Sequence, residues 1–280
     1  MNHAETFDRL KNVVVQGDVN EVLDFVPDES IHLTLTSPPY FNARDDYMPW
    51  VSYKDYLDFM KSVLLKVCRV TKEGRFLVIN TSPIIMPRPG RQCSSKRYGI
   101  PFDIHSILMT MNWDFVDDII WLKPKASAKN RISNFNVNRK PLTYKSNSCT
   151  EYVMVYRKTT PKLIDWNLKQ YSDEVVADSL VNDSFERSNV WQIPPTHSPV
   201  HNAVFPLELA KQVIKLYSFK NDLVFDPFAG SGTTGAAAVV LNRNYLLAEQ
   251  NEGHVYAIDR RLSGWFSPHR GYVLDEFKAL

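Results

Sequence analysis

Residues 223–241 run Leu-Val-Phe-Asp-Pro-Phe-Ala-Gly-Ser-Gly-Thr-Thr-Gly and then Ala-Ala-Ala-Val-Val-Leu, and no other stretch narrows the choice of fold so far. An apolar run, a turn built on glycines and a helix of small residues follow one another without a spacer, the order that joins a buried strand to a helix packed against it. Gly230, Gly232 and Gly235 match G-x-G-x-x-G, and Glu249 ends the next apolar run about twenty residues on, where a carboxylate reaches ribose hydroxyls. A nucleotide-type cofactor fits such a turn. Asp226 narrows the type, because a pyrophosphate sits at a helix N-terminus through free N–H groups and the helix dipole, and an aspartate entering the turn repels it. S-adenosylmethionine carries an ammonium, a sulfonium and an adenosine ribose but no phosphate. It suits an acid before the glycines and another at Glu249.

The rest of the chain supplies more pieces of the same kind. Val13 to Val15, Ile31 to Thr36, Phe76 to Ile79, Val116 to Trp121, Tyr152 to Tyr156, Leu223 to Phe225 and Tyr245 to Ala248 read as buried strands. Tyr56, Phe59, Met60, Val63, Leu64, Val67 and Val70 recur at helical spacing with charges on the other face, which predicts an amphipathic helix. Further helices are expected from Pro101 to about 111, from Pro206 to about 217 and from Glu252 to about 262. Strands alternating with helices predict an α/β fold of Rossmann-like form with a mostly parallel central sheet. The 280 residues suffice for one large domain or two small ones. With 44% hydrophobic and 23% charged residues, composition excludes wholesale disorder and a coiled-coil rod. No apolar run reaches the ~18–20 residues of a membrane span, and the N-terminal residues lack a secretory pattern. A cytoplasmic address is expected. Cys68, Cys93 and Cys149 are too few and scattered for a disulfide framework or closed zinc site. His197 and His201 are four apart but enclose Pro199, which disfavours the helix that would align them, so no metal is assigned.

The net charge of +2 hides an uneven distribution. Residues 1–60 hold eleven acids against four bases, whereas 123–169 hold eleven bases against two acids, a net +9. Arg88, Arg91, Lys96 and Arg97 form a second acid-free stretch, read as a loop from Pro87, Pro89 and Gly90. A solvated face and a phosphate-tracking surface both accommodate such charges. Charge by itself does not choose.

Thr36-Ser37-Pro38-Pro39-Tyr40 directly follows the strand that begins at Ile31, the place where ligands of open α/β sheets sit. Pro-Pro after a strand is also an ordinary stop. The chemical reading is that the two prolines stiffen the backbone, Ser37 and the Pro38 carbonyl accept hydrogens from an exocyclic amino group, and Tyr40 offers a stacking face to a planar base.

Together these motifs resemble those of the amino DNA methyltransferases, specifically the permuted β group, in which the catalytic motif precedes the cofactor motif. Thr-Ser-Pro-Pro-Tyr at 36–40 resembles the catalytic motif in the serine form of N4-cytosine enzymes, and Asp-Pro-Phe-Ala-Gly-Ser-Gly-Thr-Thr at 226–234 resembles the cofactor motif. Gly17-Asp18, Trp121-x-Lys123-Pro124, Glu151, His201-x-Ala203-x-Phe205-Pro206 and Glu249 agree as well. The resemblance implies a methyltransferase fold of circularly permuted motif order over 1–280, with a target-recognition region inserted at about 125–195.

It also implies direct methyl transfer from S-adenosyl-L-methionine to N4 of cytosine in duplex DNA, with Ser37, Pro38, Pro39 and Tyr40 at a flipped base. Cofactor contacts are implied for Asp18, Thr36, Phe205, Asp226, Pro227, Phe228, Gly230, Gly232, Thr233, Thr234 and Glu249. DNA contacts are expected from Arg88, Arg91, Lys96, Arg97, Lys123, Lys125, Lys129, Arg131, Arg139, Lys140 and Lys145. No cysteine follows a proline, so the Pro-Cys nucleophile of C5-cytosine enzymes is missing. Glu151 is expected to pair with an arginine or to touch substrate. A restriction endonuclease acting on the same site is the implied companion, and a monomer or weak homodimer the expected state. The alternatives are N6-adenine transfer on the same fold, an inactive DNA-binding regulator, and a nicotinamide dehydrogenase, which Asp226 disfavours.

Overall fold

The computed structural model describes residues 8–41, 50–86, 90, 92–93, 95–125, 139–142, 144, 146–182, 185–196, 205–263 and 269–279. Arg88, Arg91, Lys129, Arg131, Lys145, His197 and His201 lie outside the described residues. In chain order the elements are β1 (Val13–Gln16), α1 (Val19–Phe25), β2 (Ile31–Thr36), α2 (Tyr53–Val70), β3 (Thr71–Thr81), β4 (Ile84–Met86), β5 (Lys96–Tyr98), α3 (Ile100–Leu108), β6 (Trp113–Leu122) and β7 (Thr150–Lys158). There follow α4 (Ile164–Leu168), α5 (Asp173–Asp178), β8 (Val190–Gln192), α6 (Leu207–Tyr217), β9 (Leu223–Asp226), α7 (Thr233–Val240), β10 (Asn244–Glu249), α8 (Glu252–Leu262), β11 (Arg270–Val273) and α9 (Leu274–Lys278).

Nine strands form one sheet in the order β11-β1-β10-β9-β2-β3-β7-β6-β8. Only β7 runs against its neighbours; every other pairing in this sheet is parallel. The parallel strands are buried on both faces, which is why they read as unbroken apolar runs. Alternate residues serve opposite cores: Leu77 and Ile79 pack with α1, α2 and α3, whereas Val78 packs with α6, α7 and α8. Each fully buried aliphatic side chain of this kind contributes about 1.5–3 kcal/mol.

Each predicted strand and helix is present, with shifted ends. Helix α2 begins at Tyr53, because Ser52 accepts the Asp55 N–H at 3.2 Å while Asp55 accepts the Ser52 N–H at 2.9 Å. This reciprocal cap satisfies two otherwise unpaired donors. Lys96 and Arg97, expected on a loop, instead occupy β5, which pairs with β4 in a short antiparallel ribbon. Tyr98 anchors that ribbon against Tyr53 and Phe41, with ring centroids 4.2 and 5.4 Å apart.

The approximate recognition span 125–195 contains a strand of the sheet, where the run Tyr152 to Tyr156 predicts one. Its residues 150–158 are the reversed strand β7 in the middle of the sheet. Its residues 162–171 pack at the start of β3, where Arg75 donates to the Tyr171 hydroxyl at 2.8 Å and Tyr171 donates to Asp222 at 2.6 Å. Strand reversal has a positional consequence. The connection from β6 leaves and returns at one edge of the sheet, so Glu151, near the start of β7, lies beside the carboxyl ends of the parallel strands.

Candidate active site at the strand ends

Five parallel strands bring their last residues to one edge: Gly17-Asp18 after β1, Glu249 on β10, Asp226 on β9, Thr36 to Tyr40 at the end of β2, and Asn80-Thr81 on β3. Helix α7, leaving β9, packs on one face of the sheet, and α2, leaving β2, packs on the other. Adjacent strands whose connections depart to opposite faces leave a crevice between them, the ligand site of open α/β sheets.

On the β9 side the crevice is made by the glycine turn. Gly230 and Gly232 have φ of 52° and 75°, a region in which a Cβ is strained. A Cβ on Gly232 would also lie 3.0 Å from the Ile258 side chain. Asp226, only 1% exposed, accepts from the Thr36 hydroxyl at 2.7 Å, the Thr234 hydroxyl at 2.6 Å and the Phe228 N–H at 3.1 Å. Its carboxyl therefore bolts the end of β2 to the first turn of α7. Burial raises its pKa to about 6, against the pull of those three hydrogen bonds. Asp226, Thr36 and Thr234 were expected along the cofactor; the structure turns their polar atoms inward, so they shape the turn from beneath.

Glu249 ties the same turn to the next corner, accepting the Gly230 N–H at 2.7 Å through Oε2 and the Asn251 N–H at 2.9 Å through Oε1. Asp18 caps α1 by accepting the Asn20 N–H at 2.9 Å. Phe228 is half-buried with its ring 6.1 Å from Phe59, while Pro227 and Phe205 are buried. Thr233 receives a hydrogen bond from Arg261, which also donates to the Ser231 carbonyl at 3.0 Å. Arg261 was missed because its helical spacing marks it only as one more surface base of α8.

On the β2 side, Ser37, Pro39 and Tyr40 are half-buried and Pro38 is buried. The hydroxyls of Ser37 and Ser82 hydrogen-bond the Tyr40 phenol. Burial above all, and then the Glu151 charge, hold that phenol well above the ordinary tyrosine range, so it stays neutral. Next to it, Asn80 donates to Glu151 Oε2 at 2.8 Å, and the other Glu151 oxygen pairs with the Lys123 ammonium. Lys123 in turn lies 4.5 Å from the centroid of Trp121. Glu151 thus pairs with a lysine rather than an arginine, and Lys123, expected among the DNA-contacting bases, is tied into this cluster. Neither Asn80 nor Ser82 carries a signal that a single sequence displays.

Two groups stand out among the other described bases. Lys96, Arg97, Lys125, Arg139 and Lys140 are exposed, and a cavity of about 230 Å³ is lined by Ile85, Ser95, Lys96, Arg97, Tyr144 and Ser146. Arg157, Lys158 and Lys162 lie at the opposite end of β3: Arg157 donates to the Gly74 carbonyl at 3.0 Å, Lys158 pairs with Glu29 at 3.3 Å and Lys162 with Glu73 at 2.7 Å. The +9 block is therefore not one surface.

Comparison with known proteins gives a consistent set of likenesses. The N6/N4 methyltransferase family, described as DNA methylase, matches residues 31–260. The Type II beta methyltransferase M.BslI of Bacillus sp. (strain NEB-606) is 27% identical over 268 residues, which is 91% of this chain and 28% of that protein. The chain thus spans little more than a quarter of that relative's length. The orphan methyltransferase M.BamHII of Bacillus amyloliquefaciens is 25% identical over 273 residues, 88% of this chain and 93% of that one. Among solved structures, a protein of Thermus thermophilus named as a DNA modification methylase, complexed with S-adenosyl-L-methionine, superimposes with a TM-score of 0.73. It is 25% identical, over 94% of this chain and 99% of its own.

Proposed function

The chain belongs to the N6/N4 family of DNA methylases, and from that premise we propose that it transfers a methyl group from S-adenosyl-L-methionine to the exocyclic N4 amino group of cytosine in duplex DNA. The observation that carries the reading is the Asp226 bolt: it fixes Thr36, the residue before Ser37, to Thr234 of the glycine turn. An amino-binding motif and a cofactor turn are held at a constant separation, and orientation of that kind supplies much of the acceleration in a two-substrate reaction.

The residues fit the cofactor. Gly230 and Gly232 let the backbone approach the methionine part, Glu249 stands at the ribose with Asp18 beside it, and Phe228, Thr233 and Phe205 line the pocket. When bound, S-adenosyl-L-methionine supplies a methyl group on a positively charged sulfur. The chain does the rest. Ser37 and the Pro38 carbonyl accept the amino hydrogens and draw the nitrogen lone pair out of conjugation with the ring, Pro39 stiffens the backbone, and the neutral Tyr40 ring stacks on the base. Extruding that base costs a few kcal/mol, which stacking and hydrogen bonds in the pocket offset. Lys96, Arg97, Lys125, Arg139 and Lys140 track the phosphates, joined by Arg88, Arg91, Lys129, Arg131 and Lys145. A restriction endonuclease acting on the same site is the companion, a reading that draws on the Type II naming of M.BslI.

The test is incubation with isotopically labelled S-adenosyl-L-methionine and mixed-sequence duplex DNA, followed by digestion to nucleosides and mass identification. N4-methylcytosine is expected. N6-methyladenine in its place would overturn the choice of base, and unlabelled DNA would overturn the transfer.

A further inference from the structure

Asn80 is 2% exposed, and its amide oxygen has no hydrogen-bond partner among the described residues. A buried acceptor left unpaired costs about 1–3 kcal/mol, so its persistence needs a reason. The orientation of the amide is not arbitrary: Glu151 can only accept, so the Asn80 nitrogen faces it and the oxygen faces away. Glu151 is itself held by Lys123, and Lys123 rests on Trp121. Glu151 on β7, backed by Lys123 and Trp121 at the end of β6, thus fixes the direction of one oxygen on β3.

Its place in the sheet indicates the donor it awaits. Asn80 follows Ile79, the register partner of Thr36, and Thr36 is followed by Ser37. The glycine turn, Glu249 and Asp18 all lie on the β9 side of β2, whereas Asn80 lies on the β3 side. We propose that Asn80 contacts the target base, its Oδ1 accepting a hydrogen of the exocyclic amino group, with Glu151 and Lys123 as the positioning residues that lock the amide in that direction. The proposal rests on the amino-transfer reading and extends it to selectivity. A hydroxyl such as that of Ser37 rotates and can donate to a carbonyl, so it tolerates an oxo base; an amide whose N–H group is committed to Glu151 presents only an acceptor and selects an amino group.

Single-turnover methyl transfer to mixed-sequence duplex DNA at saturating cofactor tests this, alongside equilibrium titration of S-adenosyl-L-methionine and thermal unfolding. Asn80→Leu is expected to slow transfer about ten- to a hundredfold with cofactor affinity within about twofold of wild type. Asn80→Asp supplies the second readout. The introduced carboxyl would meet Glu151 on β7, and Glu151 is in turn paired with Lys123 after β6 and acts on Tyr40 after β2. When that carboxyl and Glu151 share a proton, an O–H donates to Glu151 and an oxygen is left to accept, as in the amide. Its transfer rate should therefore recover as pH falls, a profile that a packing role does not produce. Wild-type rates in Asn80→Leu, or a wild-type pH profile in Asn80→Asp, would overturn the proposal. Absence of transfer by the wild type would overturn the amino-transfer reading and this extension with it.

Discussion

Ser37 and Tyr40 have separable tasks at the amino group. On the proposed reading the hydroxyl of Ser37 accepts from the reacting amino group while the Tyr40 ring orders the base, and both stand apart from the glycine turn. Ser37→Ala and Tyr40→Ala should each lower kcat by about a hundredfold or more, the scale of removing one preorganised polar group or stacking surface from a closed site. Titration should find cofactor affinity nearly unchanged; a Ser37→Ala enzyme with wild-type turnover would show that the hydroxyl accepts nothing essential. Asp226 acts differently, through charge kept inside the fold. Its pKa rises on folding from 3.8 to about 6, so the folded chain binds this proton more tightly than the unfolded one. The resulting stabilisation is complete below pH ~4 and is lost as pH rises through about 6, a total of roughly 3 kcal/mol. Asp226→Asn lacks this titration. Unfolding free energies of wild type and Asp226→Asn, compared between pH 4 and 7, should diverge in that sense, and parallel curves would sink the assignment. The aspartate was legible in the sequence as a cofactor-turn residue, but its inward direction was not, because the two threonine hydroxyls that hold it come from positions 36 and 234, far apart in the chain.

At the scale of elements, periodicity identified those strands and helices that bury a continuous face, and it failed where a cap or a distant partner sets the boundary. Helix α2 gains its first turn from the Ser52–Asp55 reciprocal cap, and Ser52→Ala should cost about 1 kcal/mol, read as a melting point lower by about 2–4 °C. Strand β5 exists because Tyr98 packs on Tyr53 and Phe41, a contact that no local pattern displays. Strand β11 and helix α9 were missed for the same reason: β11 is an edge strand of half-buried and exposed residues with no apolar run of its own. The glycine turn is the opposite case. Its backbone requirement is written in the residue type, and Gly232→Ala should both destabilise the fold by at least about 1 kcal/mol and weaken cofactor binding, because φ of 75° and the nearby Ile258 leave a Cβ no comfortable place. Unchanged melting and unchanged cofactor titration would mean that the turn relaxes without penalty.

Across the whole molecule the proposed DNA contact turns on how charge is distributed. Counting along the sequence groups the +9 segment together because it cannot see which bases are paired across the fold. Lys158 and Lys162 answer Glu29 and Glu73 at the end of the sheet remote from the crevice, and Lys123 answers Glu151 within it. The exposed bases that share the catalytic side are Lys125, Arg139 and Lys140 in the β6–β7 connection and Lys96 and Arg97 on the β5 strand. Binding that neutralises phosphates releases counterions, so log affinity should fall linearly with log salt, with a slope of about −0.9 for each phosphate engaged. Lys125→Ala or Lys140→Ala should shallow that slope by about one unit apiece and weaken binding alike for every sequence, because phosphate contacts carry no base information. Lys162→Ala removes the same charge from the far end, beyond the screening distance of ~8–10 Å that separates independent charges at physiological salt. Its slope should match that of wild type. Equal losses of slope in the near and far variants would show that the protein responds to total charge rather than to a footprint at the strand ends.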